Sequence, residues 1–154
     1  MPSLLTCIVA KKMGDPHSED HFAVRRYAAK LTAGVVQRFA ASYTSLKPRA
    51  IKTLIKALLD FDHPFATHYG AISGLHALGK EGIQVVLIAN AQMYIQAVDQ
   101  KVQLLADQME TDGADSPAIV QRDALKCKEA FKVLPSSLDT GLISKLMLWV
   151  ARPR

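Results

Sequence analysis

The segment HPFATHYGAISGLHALG, His63 to Gly79, has no charged side chain apart from its three histidines and places glycines at 70, 74 and 79 within a helical pattern. On a helical wheel Phe65, Tyr69, Ile72 and Leu75 gather on one side, and Ala66, Gly70, Gly74 and Ala77 on the other. Neither side suits water. The segment therefore predicts a helix buried all round, with small residues four apart that admit a neighbouring backbone. Each mid-helix glycine costs about 1 kcal/mol against alanine, and close packing on the small-residue face offsets that cost. Gly79 supplies a left-handed C-terminal cap. Tyr69, Gly70, Gly74, Leu75 and Gly79 are thus expected to set helix packing. Such a helix needs layers on both sides, as an inner helix has in a stack of helical pairs.

The other windows also read as helix, with spacing near 3.6 and no sustained alternation, which predicts an all-α chain of about eight helical segments. The first covers 3–13 and ends near Gly14; the second runs from Glu19 to about Ala41, with Ser18 as N-cap. Its apolar arc is Val24, Tyr27, Ala28, Leu31, Val35 and Phe39, opposite Arg26 and Lys30. Arg38 falls inside that arc, so it either snorkels outward or meets a carboxylate, Asp60 or Asp62. In LKPRAIKTLIKALLD one stripe is Ile51, Leu54, Ile55, Leu58 and Leu59, and another is Arg49, Lys52 and Lys56. Residues 80–110 continue as helix, with Asn90 as a break and Ile95, Val98, Val102, Leu105 and Met109 on one face. The run IQVVLIA is β-branched enough for a strand, but a lone strand would have no ladder partner. Ser116 and Pro117 open a further helix whose face is Ile119, Val120, Ala124, Cys127, Ala130, Phe131 and Leu134. LDTGLISKLMLWV forms the last, where Trp149 packs in the core or marks a covered surface. AVRRYAAKL and THYGAISGL carry small residues, Ala28 and Ala71, in similar helices 43 residues apart, a spacing in the range of HEAT and armadillo repeats.

At 154 residues, 49% apolar and 21% charged, the chain suits one globular domain over 1–154. No uncharged apolar run reaches the roughly 18 residues that span a bilayer, so no membrane partner is expected. The N-terminal lysines follow the apolar stretch, the reverse of a signal peptide. Cys7 and Cys127 are 120 positions apart with no CxxC partner, which suits free thiols in a reducing compartment. Residues 1–60 hold 10 Lys and Arg against 4 Asp and Glu, whereas 61–154 hold 9 against 10. The candidate surface is therefore Arg25, Arg26, Lys30, Lys47, Arg49, Lys52 and Lys56. Its plain reading is a solvated face, and its functional one a groove for acidic protein segments or phosphates. Within LKPRAIKTLIKALLD no aromatic residue interleaves with the cations, which argues against stacking on a single strand there.

His17 and His21 are four apart, and His63, His68 and His76 lie in or beside one helix, yet neither cysteine is near them in sequence, so no metal is expected. Both cysteines lie on apolar faces, where a core thiol is commoner than a nucleophile. GxSxG, Walker, HExxH and Gly-rich phosphate motifs are absent, and no catalysis, cofactor or small-molecule substrate is expected.

LLTCIVAKKM, HFAVRRYAAKL and HYGAISGLHALG, in this order over roughly residues 4–89, resemble the C-terminal HEAT-repeat domain of subunit 6 of the general transcription factor TFIID. The family pattern has arginine where this chain has His68, and a proline near Asn90 that is absent here. The resemblance implies an α-solenoid of HEAT-like antiparallel helix pairs, acting as a noncatalytic scaffold in RNA polymerase II preinitiation complex assembly in the nucleus. It also implies a histone fold elsewhere in the family's architecture, absent from this sequence, so the chain reads as an excised domain. The expected partners are other TFIID or SAGA subunits, with promoter DNA and a second copy of the chain as further candidates. The alternative function is a basic helical module that binds promoter DNA directly.

Overall fold

The computed structural model describes residues 1–15, 18, 20–80, 82–83, 89–107 and 116–132. Among them are six α-helices and no strand: α1 Pro2–Val9, α2 Asp20–Phe39, α3 Leu46–Leu59, α4 Phe65–Ala77, α5 Ala89–Asp107 and α6 Pro117–Lys132. This is fewer than the eight expected; most of the segment through IQVVLIA, and all of LDTGLISKLMLWV with Trp149, lie outside the described residues.

Local chemistry accounts for the helix ends. Ser18 Oγ accepts the amide of Asp20 at 3.1 Å and opens α2. The carbonyl of Pro64 accepts the amides of Thr67 and His68 and opens α4. Gly79, at φ 93°, turns the chain away after α4. Pro117 begins α6, where its missing N–H would have had no helical partner.

Successive helices pair as α1 with α2, α3 with α4 and α5 with α6, and the second members pack on one another, α2 on α4 and α4 on α6. Helix α4 is the shared inner element. It touches α1, α2, α3 and α6, and Phe65 to Ile72 are buried without a break, as are Gly74 and Leu75. The core gathers around it: Ile8 from α1, Phe22 and Val36 from α2, Leu54 and Leu58 from α3, Tyr94 and Val98 from α5, Cys127 and Phe131 from α6. Fully burying each large apolar side chain contributes about 1.5–3 kcal/mol. In α6 the expected face is inside at Ile119, Ala124, Cys127 and Phe131, with Val120 and Ala130 half-buried.

Helix α2 is rotated relative to its expected phase. Its inward residues are His21, Phe22, Arg25, Ala28, Ala29, Thr32 and Val36, while Val24, Tyr27, Leu31 and Phe39 are exposed. Only Ala28 belongs to both sets. The α2–α4 contact is the most extensive between any two helices, and Ala28, Ala29 and Thr32 permit close approach where Tyr27 and Leu31 would hold the axes apart. Arg38, on the outward arc, is exposed and needs neither carboxylate considered for it. In α3 the phase is closer to expectation: Leu54 and Leu58 are buried, Ile51 and Ile55 half-buried, and Leu59 exposed.

Candidate interaction surface and its support

The last carbonyls of α1 lack helical partners and are met by side chains from two other helices. Arg25 of α2 donates from Nη1 to Ile8 O at 2.7 Å and from Nη2 to Ala10 O at 2.8 Å, and Thr67 Oγ1 of α4 donates to Ala10 O at 3.0 Å. Gly70 lies against the same turn; a Cβ there would stand 1.9 Å from Ile8 O. Arg25 is 1% exposed. It is thereby removed from the candidate basic surface: its guanidinium caps α1 from inside. Burial pulls its pKa below the usual guanidinium range, and the Asp123 carboxylate acts in the opposite direction. Phase carried the missed signal, because Arg25 lies between Phe22 and Ala28–Ala29 on the wheel that closes the core.

A second polar cluster ties α4 to its other neighbours. His68 is fully buried; its Nε2 lies 3.1 Å from Asp60 O and its Nδ1 3.1 Å from the Tyr94 hydroxyl. Since a carbonyl can only accept, Nε2 carries the proton and Nδ1 accepts from Tyr94. Burial, reinforced by the Lys101 ammonium, lowers the His68 pKa to about 4, so the ring is neutral at pH 7. Cys127 Sγ of α6 donates to Phe65 O at 3.1 Å, and burial pushes its thiol pKa far up. Lys101 of α5 reaches the carbonyls of Phe61 and His63 and lies 5.3 Å above the Phe65 ring. Helices α4, α5 and α6 and the loop after α3 are thus joined by directional contacts inside an apolar core.

The remaining cations fall in three places. Arg49, Lys52 and Lys56 share the exposed face of α3, opposite buried Ala50, Leu54, Ala57 and Leu58. Arg26 and Lys30 line a cavity of about 410 Å³ with Tyr69, Ile72, Ser73 and His76. Lys47 is half-buried beside a different hollow, next to Ala33, Val36 and Leu78. Another cavity of about 410 Å³ gathers Lys11, Lys12, His21, Arg25, Asp62 and Asp123. Three of these side chains have structural contacts: Arg25 binds carbonyls, Asp123 pairs with Arg122 at 2.8 Å, and His21 packs on Phe22 with ring centroids 4.0 Å apart. No serine, threonine or cysteine stands among its described lining residues. Among the described residues, no three histidine, cysteine or carboxylate side chains converge as a metal site would require, and no helix is long and apolar enough to cross a membrane.

The family described as the TAF6 C-terminal HEAT repeat domain matches residues 1–92, the part that contains α1 to α4. The SAGA complex/transcription factor TFIID complex subunit Taf6 of Schizosaccharomyces pombe is 50% identical over 95 residues, 61% of this chain and 21% of that protein. Transcription initiation factor TFIID subunit 6 of Arabidopsis thaliana is 34% identical over 102 residues, 66% of this chain and 19% of that protein. Its counterpart in Drosophila melanogaster is 31% identical over 100 residues, 64% of this chain and 16% of that protein. The chain thus spans about a fifth of the length of the curated relatives it matches. With stacked helix pairs around a buried glycine-bearing helix, and this match over more than half its length, the chain belongs to the TAF6 C-terminal HEAT-repeat family.

Proposed function

We propose that this chain is a noncatalytic HEAT-repeat module, one domain over 1–154, that helps hold together a TFIID- or SAGA-like assembly in RNA polymerase II transcription initiation. Its partners are other subunits of that assembly, and its compartment is the nucleus. The observation that carries this reading is the family match over residues 1–92, together with relatives whose names place them in TFIID and SAGA complexes. The physical support is rigidity: α4 is packed on several sides and its Thr67 and His68 side chains are hydrogen-bonded to neighbouring elements, so the outer faces of α2 and α3 are held in fixed relation. The exposed cations of α3, with Arg26, Lys30 and Lys47, are the surface offered to acidic partner segments.

The test is affinity purification of the tagged protein from nuclear extract, read by mass spectrometry. Recovery of TFIID or SAGA subunits is expected, and recovery of neither overturns the reading. The triple variant Arg49→Glu/Lys52→Glu/Lys56→Glu is expected to reduce recovery while changing stability by less than about 1 kcal/mol, because all three side chains are exposed. Binding of duplex DNA that weakens steeply with added salt, and is abolished by the same triple variant, would instead assign the α3 face to phosphates.

A further inference from the structure

Residues 21–59 contain no aspartate or glutamate and carry eight arginines and lysines. Arg25 is withdrawn into the core, whereas Arg26, Lys30, Arg38, Arg49, Lys52 and Lys56 remain exposed. The same stretch exposes an apolar stripe on α2: Val24 at 47%, Tyr27 at 65% and Leu31 at 42%, with Phe39 at 43% near the helix end. Spacings of three and four residues put Val24, Tyr27 and Leu31 on one line, and Arg38 continues it two turns beyond Leu31. Arg26 and Lys30 border that line on the side of the cavity they share with Ser73 and His76.

We propose that this outer face of α2 docks an acidic amphipathic helix belonging to a partner polypeptide. The inference rests on the assembly reading above and adds the chemistry of one partner. Three arguments select the occupant. Val24, Tyr27 and Leu31 offer apolar area that a phosphate-rich ligand cannot cover, so the centre of the contact is apolar. The border is cationic and unrelieved by any carboxylate from 21 to 59, so the partner's flanks are acidic. A second copy docking by the same face would bring like charges together, which disfavours self-association there. Length also fits: the 20 residues of α2 extend about 30 Å, enough to lie along several turns of another helix.

The experiment replaces Tyr27 with photoreactive p-benzoylphenylalanine in the full-length protein, in cells that express it, and sequences the cross-linked peptide after tag purification. The expected adduct is a peptide of a different polypeptide, net negative, with apolar residues three and four apart. Arg26→Glu/Lys30→Glu is expected to lower adduct yield at least about fivefold, with the unfolding midpoint unchanged because both side chains are exposed. A cross-link to a second copy, to nucleic acid or to lipid overturns the proposal, as does an adduct insensitive to the charge reversal. No adduct, with TFIID or SAGA subunits still co-purifying, overturns it while leaving the assembly reading intact. Loss of those subunits together with the adduct from the otherwise unsubstituted protein removes both.

Discussion

Gly70 and Gly74 are four residues apart on one helix but meet different neighbours. A Cβ on Gly70 would lie 1.9 Å from the backbone oxygen of Ile8, which Arg25 also holds; a Cβ on Gly74 would lie 2.8 Å from Leu54 Cδ1, the end of a flexible side chain. Backbone cannot give way as a methyl can. Gly70→Ala should therefore displace α1 and cost at least about 3 kcal/mol. Gly74→Ala should stay within about 1 kcal/mol, because a gain of similar size in helix propensity offsets the crowding. Chemical denaturation of the two variants checks the difference. Cysteine reactivity is likewise decided residue by residue. Cys127 is fully buried with a raised pKa, and Cys7 is half-buried. Iodoacetamide should label Cys7 at least about tenfold faster in the folded protein, with Cys127 following only on unfolding, as peptide mass spectrometry would show.

At the scale of elements, the His68–Tyr94–Asp60 cluster makes the joining of α4 to α5 depend on pH. The folded pKa of His68, about 4, is below its ordinary 6.5, so the unfolded chain takes up this proton first as pH falls. Its stabilising contribution is complete above about pH 6.5 and is lost progressively down to about pH 4, amounting to about 3 kcal/mol over that window. His68→Gln keeps an amide donor for Asp60 O and an acceptor for Tyr94 without a titrating group. Urea midpoints measured between pH 7 and 4.5 should fall more steeply for the unsubstituted protein than for this variant. Parallel curves would mean that His68 does not carry the linkage. Element phase was partly legible. α6 and the cationic face of α3 follow from spacing alone, because each has one strongly apolar side and one strongly polar side. α2 does not, because it has two apolar arcs, and choosing between them required knowing that α4 approaches through small residues.

For the whole molecule, the placement of α4 between pairs makes it the element whose exposure requires the others to separate. Hydrogen exchange should therefore find the amides of 65–77 slowest, near the global unfolding limit. The amides of α1, eight residues held largely by Arg25, Thr67 and the contact at Gly70, should exchange sooner. An α1 that outlasts α4 would contradict this hierarchy. The same arrangement fixes which surface is available: α3 turns Arg49, Lys52 and Lys56 outward because Ala50, Leu54, Ala57 and Leu58 face α4 and the core.

The sequence alone determined that the chain is helical, that His63 to Gly79 lies inside, and that the outer side of α3 is cationic. These properties follow from local periodicity and from the absence of any hydrophilic face on α4. Only the tertiary structure decided which arc of α2 is buried, that Arg25 serves as an internal cap for α1, and that His68 bridges to Tyr94 and Asp60. The reason is physical. A helical wheel ranks side chains by affinity for water, whereas packed helices also select for how closely two backbones can approach and for which orphaned carbonyls need a donor. Both conditions involve residues distant in sequence, 17 positions for Arg25 with Ile8 and 26 for His68 with Tyr94.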